Sequence, residues 1–134
     1  MDDYPVIYTL ALEPRWGDMD ALGHVNNTVY FRYMEEVRVR WMKSINYTFD
    51  AEGVGPVIVN TSLDFMRPIV FPDTVEIDFS VKPPGRSSVT TLYTFRIKQE
   101  VVASGSAVIV WVNYSLGKSV PLPRLVLDAL SSVS

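Results

Sequence analysis

The feature that most constrains this chain is a single change of hydrophobic period. From about Asn27 to Lys43, the residues Tyr30, Tyr33, Met34, Val37 and Trp41 recur at steps of three and four, with Arg32, Glu35, Glu36, Arg38 and Arg40 mostly between them. That spacing predicts a helix with one apolar stripe. Beyond Pro56 the period drops to two and stays there, as strands require. One long helix offers one stripe to bury, so a sheet must supply the rest of the core.

Val6 to Leu12 alternates ahead of Pro14, and Val57 to Arg67 alternates until Pro68, with Val57, Val59, Thr61, Leu63 and Phe65 on one side. Thr74 to Val81 follows, then a Pro83-Pro84-Gly85-Arg86 turn, Ser88 to Lys98, and Val101 to about Asn113. The tail from Pro121 carries Leu122, Leu125, Val126, Leu127 and Leu130, the makings of a short terminal helix. The order is strand, long helix, then four strands. It predicts an α+β architecture in which a curved, antiparallel five-stranded sheet wraps one helix. Asn26 or Asn27 is suited to cap the helix start, and Glu35 and Glu36 are expected to pair with Arg38 and Arg40 along it.

At 134 residues and 48% hydrophobic content, residues 1–134 are expected to form one domain with its own core. The absence of Cys removes disulfides, thiolate zinc sites and a thiol nucleophile, and with one His no metal site is expected. A net charge of -3 disfavours nucleic acid, although a local basic patch could hold one phosphorylated ligand. Asp2 and Asp3 stand where a secretion signal needs positive charge, so the expected address is cytoplasmic. The longest apolar stretch, Val101 to Val112, is broken by Ser104, Gly105 and Ser106 and is shorter than the roughly 20 residues of a membrane span. The strands alternate so cleanly, with so apolar an edge, that a homodimer or larger homo-oligomer is expected.

Chemistry concentrates just before the helix. Asp18 and Asp20 precede Gly23, and their loop runs into the helix N-terminus, where unpaired amides and the positive end of the helix dipole can hold a developing oxyanion. A carboxylate beside that point can attack a thioester carbonyl or activate water. Asp20 is the candidate for that carboxylate, the backbone amide near Asn27 for the oxyanion donor, and Gly23 for the tight turn that joins them. The bland alternative is a structural loop in which both Asp side chains bond neighbouring amides.

The run Arg15-Trp16-Gly17-Asp18-Met19-Asp20-Ala21-Leu22-Gly23-His24-Val25-Asn26-Asn27, followed by Tyr30, Tyr33, Met34-Glu35-Glu36 and Arg38, resembles the 4-hydroxybenzoyl-CoA thioesterase family of hotdog-fold proteins. Arg67-Pro68, Pro72-Asp73, Gly85-Arg86-Ser87-Ser88 and the Val-Pro-Leu-Pro tail are similar to later landmarks of that family. The resemblance implies a hotdog fold and hydrolysis of an acyl-CoA to free acid and CoA. It also implies no cofactor, and dimers or tetramers that bind acyl-CoA across a subunit interface. It carries the catalytic carboxylate onto Asp20 and the oxyanion amide, seven residues on, onto Asn27.

His24, four residues after Asp20, is a secondary candidate, with loop packing as its plainer role. Asp18 is expected to order the loop, because two adjacent carboxylates sharing one task would raise each other's pKa. Gly23 and Asn26 count among the substrate-contacting residues. Arg86, Ser87 and Ser88 could hold a CoA phosphate, with Lys82 and Arg67 as weaker candidates, and Asn60, Thr61 and Ser62 could line an acyl pocket. Two rival functions share these features. One is a hotdog enoyl-CoA hydratase using Asp20 and His24, although Ala21-Leu22-Gly23 stands where such enzymes carry Asn-Pro. The other is a non-catalytic acyl-binding domain.

Overall fold

A computed structural model describes residues 4–49 and 51–131, so Asp2 and Asp3 lie outside the described residues. The chain runs through strand β1 (Val6–Leu12), helix α1 (Asn27–Ser44), strands β2 (Val54–Phe65), β3 (Val75–Val81), β4 (Ser88–Ile97) and β5 (Glu100–Asn113), a two-residue strand β6 (Lys118–Ser119), and helix α2 (Arg124–Ser131). The long strands order as β1-β3-β4-β5-β2, every pair antiparallel, and β6 adds a short sixth strand beside β5. Among the described residues no helix is long and apolar enough to cross a membrane.

α1 begins where Asn26, in an extended conformation, accepts from the Thr28 amide through its side chain, so Asn26 is the cap and Asn27 the first helical residue. It ends at Ser44 with Ile45 as its C-cap, and Asn46 then turns the chain away with φ of 64°, the left-handed conformation that Asn tolerates better than most residues. The stripe read from the sequence is the buried one: Tyr30, Tyr33, Met34, Val37 and Trp41, joined by Met42, face the sheet. From the sheet they meet Val75, Ile77 and Phe79 of β3, Tyr93 and Phe95 of β4, and Ala103, Ala107, Ile109 and Trp111 of β5, all within one buried cluster.

Helix and sheet come close at Gly105. A side chain there would meet Leu63 Cδ2 at 2.8 Å, the Ser62 carbonyl at 2.9 Å and Met34 Sδ at 3.2 Å. Ala103 and Ala107, the neighbours of Gly105 on the same face of β5, are fully buried. This track of small residues lets α1 lie directly on the sheet and explains why a strand interior accepts a Gly despite its entropic cost.

β2 departs from the alternation expected of it. Ile58 pairs with Ile109 and Asn60 with Val108, leaving Val59 as an extra residue in a bulge; Val59 is 59% exposed instead of sharing the face of Val57. A bulge on an edge strand twists it away from continued pairing. Even so, Ile58, Val59, Phe65 and Met66 all stay exposed along this edge. Within the sheet, Arg96 of β4 clamps its own strand to β3. Its guanidinium grips both Asp78 oxygens at 2.7 and 2.9 Å and holds that carboxyl below its ordinary pKa.

Gly105→Val is therefore expected to destabilise the fold by about 1–3 kcal/mol, since neither the Ser62 carbonyl nor the packed helix can retreat freely. Urea unfolding measures it. An unchanged midpoint would mean that α1 does not rest on this track.

Candidate active site

The segment between β1 and α1 is a small hairpin rather than an open loop. Met19 and Val25 form an isolated antiparallel bridge, the Asp20 amide donates to the His24 carbonyl at 2.8 Å, and the Gly23 amide returns to the Asp20 carbonyl at 3.0 Å. Gly23 sits at the tip with φ of 78°, a conformation costly for any residue with a Cβ. Two further bonds moor the hairpin: Asn26 N–H donates to the Asp18 carbonyl at 2.9 Å, and Val25 N–H donates to the carbonyl of Ile69, beyond β2, at 2.8 Å.

The two carboxylates diverge in their contacts. Asp18 Oδ2 accepts from Tyr33 Oη at 2.6 Å and from the Arg15 amide at 2.9 Å, which ties the hairpin to the first turns of α1. Asp20 Oδ1 accepts from the Leu22 amide at 2.9 Å, and Oδ2 lies 3.5 Å from the Asn26 side-chain nitrogen. Among the described residues the second carboxylate oxygen thus keeps one long contact.

The first turn of α1 is nearly spent. Asn26 accepts from Thr28 N–H through its side chain and from Val29 N–H through its carbonyl, while the Asn27 amide has no acceptor among the described residues. Asp20, His24 and Asn27 line one open cleft of 370 Å³ together with Tyr30, Phe65 and Arg67. A carboxylate and an unengaged amide at the positive end of a helix therefore face one space, the donor set needed to attack a carbonyl and hold the resulting oxyanion.

His24 is exposed on the rim, and its ring makes no hydrogen bond to Asp20 among the described residues. Gly23 and Asn26 are not among the residues that line the cleft; the first forms the turn and the second caps the helix. Asn60 and Thr61 lie exposed on β2, with Thr61 Oγ1 donating to the Ser106 carbonyl, and Ser62 Oγ sits 3.1 Å from Ser106 Oγ. None of the three lines the cleft. Arg86, Ser87 and Ser88 are farther still. Phe95 aligns with Ala103 and Phe65 at the cleft end, Ser88 with Val110 at the other; those seven residues along β4 span about 23 Å. Arg86 bonds Ser87 Oγ there at 3.0 Å, with Lys82 close by at the start of the same turn.

Arg67, a weaker candidate, does line the cleft while pairing with Glu100 at 2.9 Å. Tyr30, read as core, is both. It is 2% exposed and packs edge-on against Phe65, while its oxygen accepts from the Ile69 amide at 3.3 Å. The signal for it was its position three residues after Asn27, one turn along the same helix face, since helical side chains lean toward the N-terminus.

A family model described as the thioesterase-like superfamily matches residues 14–130. The chain is 26% identical over 115 residues to the long-chain acyl-CoA thioesterase FadM of Escherichia coli, covering 78% of this chain and 82% of that protein. The PA2801 protein of Pseudomonas aeruginosa superposes with a TM-score of 0.88 at 31% identity, over 94% of this chain and 99% of that one. The gentisyl-coenzyme A thioesterase BH1999 does so at 0.83 and 26% identity, over 92% and 99%. The fold is the hotdog fold.

Burial raises the pKa of Tyr33, with the Asp18 carboxylate adding to the rise, and burial likewise raises Tyr30 and Tyr93. Unfolded phenols ionise near pH 10, so this stabilisation is complete below about pH 10 and is lost as pH climbs through the folded-state values. Unfolding free energy is expected to fall above about pH 10, and to fall less steeply in Tyr33→Phe. Equal slopes in denaturant titrations of the two proteins would show that burial and the Asp18 carboxylate do not raise the Tyr33 phenol.

Proposed function

The chain belongs to the thioesterase-like superfamily, and on that premise we propose that it hydrolyses an acyl-CoA to a free acid and CoA. The observation that carries this reading is the unengaged Asn27 amide opening onto the same cleft as the Asp20 carboxylate. FadM and BH1999 are both named for coenzyme A thioesters, which supports CoA as the carrier of the acyl group.

In this reading the thioester carbonyl oxygen points at the Asn27 N–H. Asp20 either attacks the carbonyl carbon, giving an anhydride that water then cleaves, or takes a proton from the water that attacks. Both routes pass through an oxyanion at the same place and expel CoA as the thiolate. The helix dipole and the amide stabilise that oxyanion more than the ground-state carbonyl, as catalysis requires. The Tyr33 bond to Asp18 and the Val25 bond to Ile69 hold the hairpin so that Asp20 keeps its aim. His24, exposed and with its ring unbonded to Asp20 among the described residues, has a lesser part.

The working unit in this reading is a homo-oligomer joined at the apolar edge of β2. A single chain places Arg86, Ser87 and Ser88 at the wrong end of its own sheet for CoA bound in its own cleft. A second copy can supply them.

Asp20→Asn is expected to keep the fold and the binding of acyl-CoA while thiol release falls by about 10²- to 10⁴-fold, the usual worth of a positioned acid or base; His24→Ala should lose far less. Thiol release detected with a chromogenic disulfide measures both. Undiminished hydrolysis in Asp20→Asn would sink the assignment. Val59→Lys, which puts a charge on the exposed edge, is expected to yield monomers in sedimentation velocity, and an unchanged oligomer would place the interface elsewhere.

A further inference from the structure

The helix ion pairs differ from the sequence expectation in one respect that matters. Glu36 pairs with Arg40 at 3.0 Å, as expected, but Glu35 turns to Arg32 at 4.0 Å. Arg38 is left half-buried, with no ion pair among the described residues.

What Arg38 does touch fixes its polarity. Thr91 Oγ1 donates to the Ala107 carbonyl at 2.8 Å and lies 2.7 Å from Tyr93 Oη. A hydroxyl has one proton to give, so the phenol must donate to Thr91, and its own oxygen is left to accept from Arg38 Nη1 at 3.5 Å. Thr91 and Tyr93 are each 1% exposed. This ordered chain engages only one of the five guanidinium N–H groups, and at the long limit of hydrogen bonding.

Arg38 opens onto a cleft of 180 Å³ between α1 and β2, with Met42, Phe49, Ile58 and Ile109 among its walls and the Glu35 carboxylate at its mouth. A half-buried cation without an ion pair is less well satisfied than a paired one, and the largely apolar walls beside it leave room for a matching ligand. We propose that this cleft binds a small carboxylate with an apolar body, its head on the free face of Arg38 and its body against Phe49 and Ile58. Ile58 and Phe65 are seven residues apart on β2, about 23 Å, so within one chain this is not the Asp20 cleft. The carboxylate has two sources: a free acid from solution, or the far end of a dicarboxylic acyl group held in the Asp20 cleft of a second copy joined along β2. The second source rests on the thioesterase reading; the first does not.

Isothermal titration of the full-length protein with hexanoate and hexanamide tests the binding. Hexanoate is expected to bind at least about tenfold more tightly than the amide and to lose about that factor in Arg38→Met, the effect of removing one partner of a charge pair. Arg38→Lys should retain part of the affinity. Glu35→Gln, an exposed change that leaves the core untouched, should tighten binding a few-fold by removing a like charge. Failure of hexanoate to bind, or equal binding by wild type, Arg38→Met and Glu35→Gln, would overturn the proposal. Adipoyl-CoA and hexanoyl-CoA hydrolysis separates the sources: a loss in Arg38→Met confined to adipoyl-CoA assigns the far end of the acyl group, and unchanged hydrolysis of both beside lost hexanoate binding assigns the free acid. If wild type cleaves neither thioester, the proposed activity falls while the titration still decides Arg38.

Discussion

The packing of α1 on the inner face of the sheet, across one buried core that includes the small residues of β5, sets the position of everything else. With Ala103, Gly105 and Ala107 beneath it, the helix lies close enough to the sheet for Tyr30, Tyr33, Met34 and Val37 to be fully packed. Its axis is then fixed by contact, as interiors packed like crystals demand. Its N-terminus is carried to the Phe65 end of β2, where the hairpin of residues 18–26 closes over it. A helix end is useful in catalysis only if held still, and here the first-turn amides are satisfied by Asn26 with the Asn27 amide over.

Much of this was legible in the sequence because it follows from periodicity. The helix stripe, the succession of strands along the chain and the terminal helix each rest on local patterns that tertiary packing reinforced. The Asp18 to Asn27 segment was legible in its chemistry but not in its shape. Nothing in the residue types says that Met19 and Val25 bridge, or that Tyr33, fifteen residues on, binds Asp18. Such contacts depend on how the chain returns, not on local preference.

What the sequence could not show shares one cause, which is that distance along the sheet is invisible in a linear chain. Arg86, Ser87 and Ser88 carry suitable groups for a phosphate, yet antiparallel register puts them at the far end from Asp20. The bulge at Val59 likewise arises from pairing with β5, which alternation alone could not foresee. The swap of partners on α1, with Glu35 to Arg32 in place of Arg38, turns on rotamers, and it exposes a half-buried cation that helix spacing had appeared to neutralise. β2 emerges as the strand on which most depends: one end borders the Asp20 cleft, the other the Arg38 cleft, and its free edge stays apolar between them.

The most direct test is a crystal structure of the Asp20→Asn protein with an acyl-CoA that it can no longer cleave. The expected result has the thioester carbonyl oxygen about 2.7–3.1 Å from the Asn27 amide nitrogen, with the side chain at position 20 beside the carbonyl carbon. An acyl-CoA whose thioester lies away from the start of α1, or whose carbonyl points away from that amide, would contradict it.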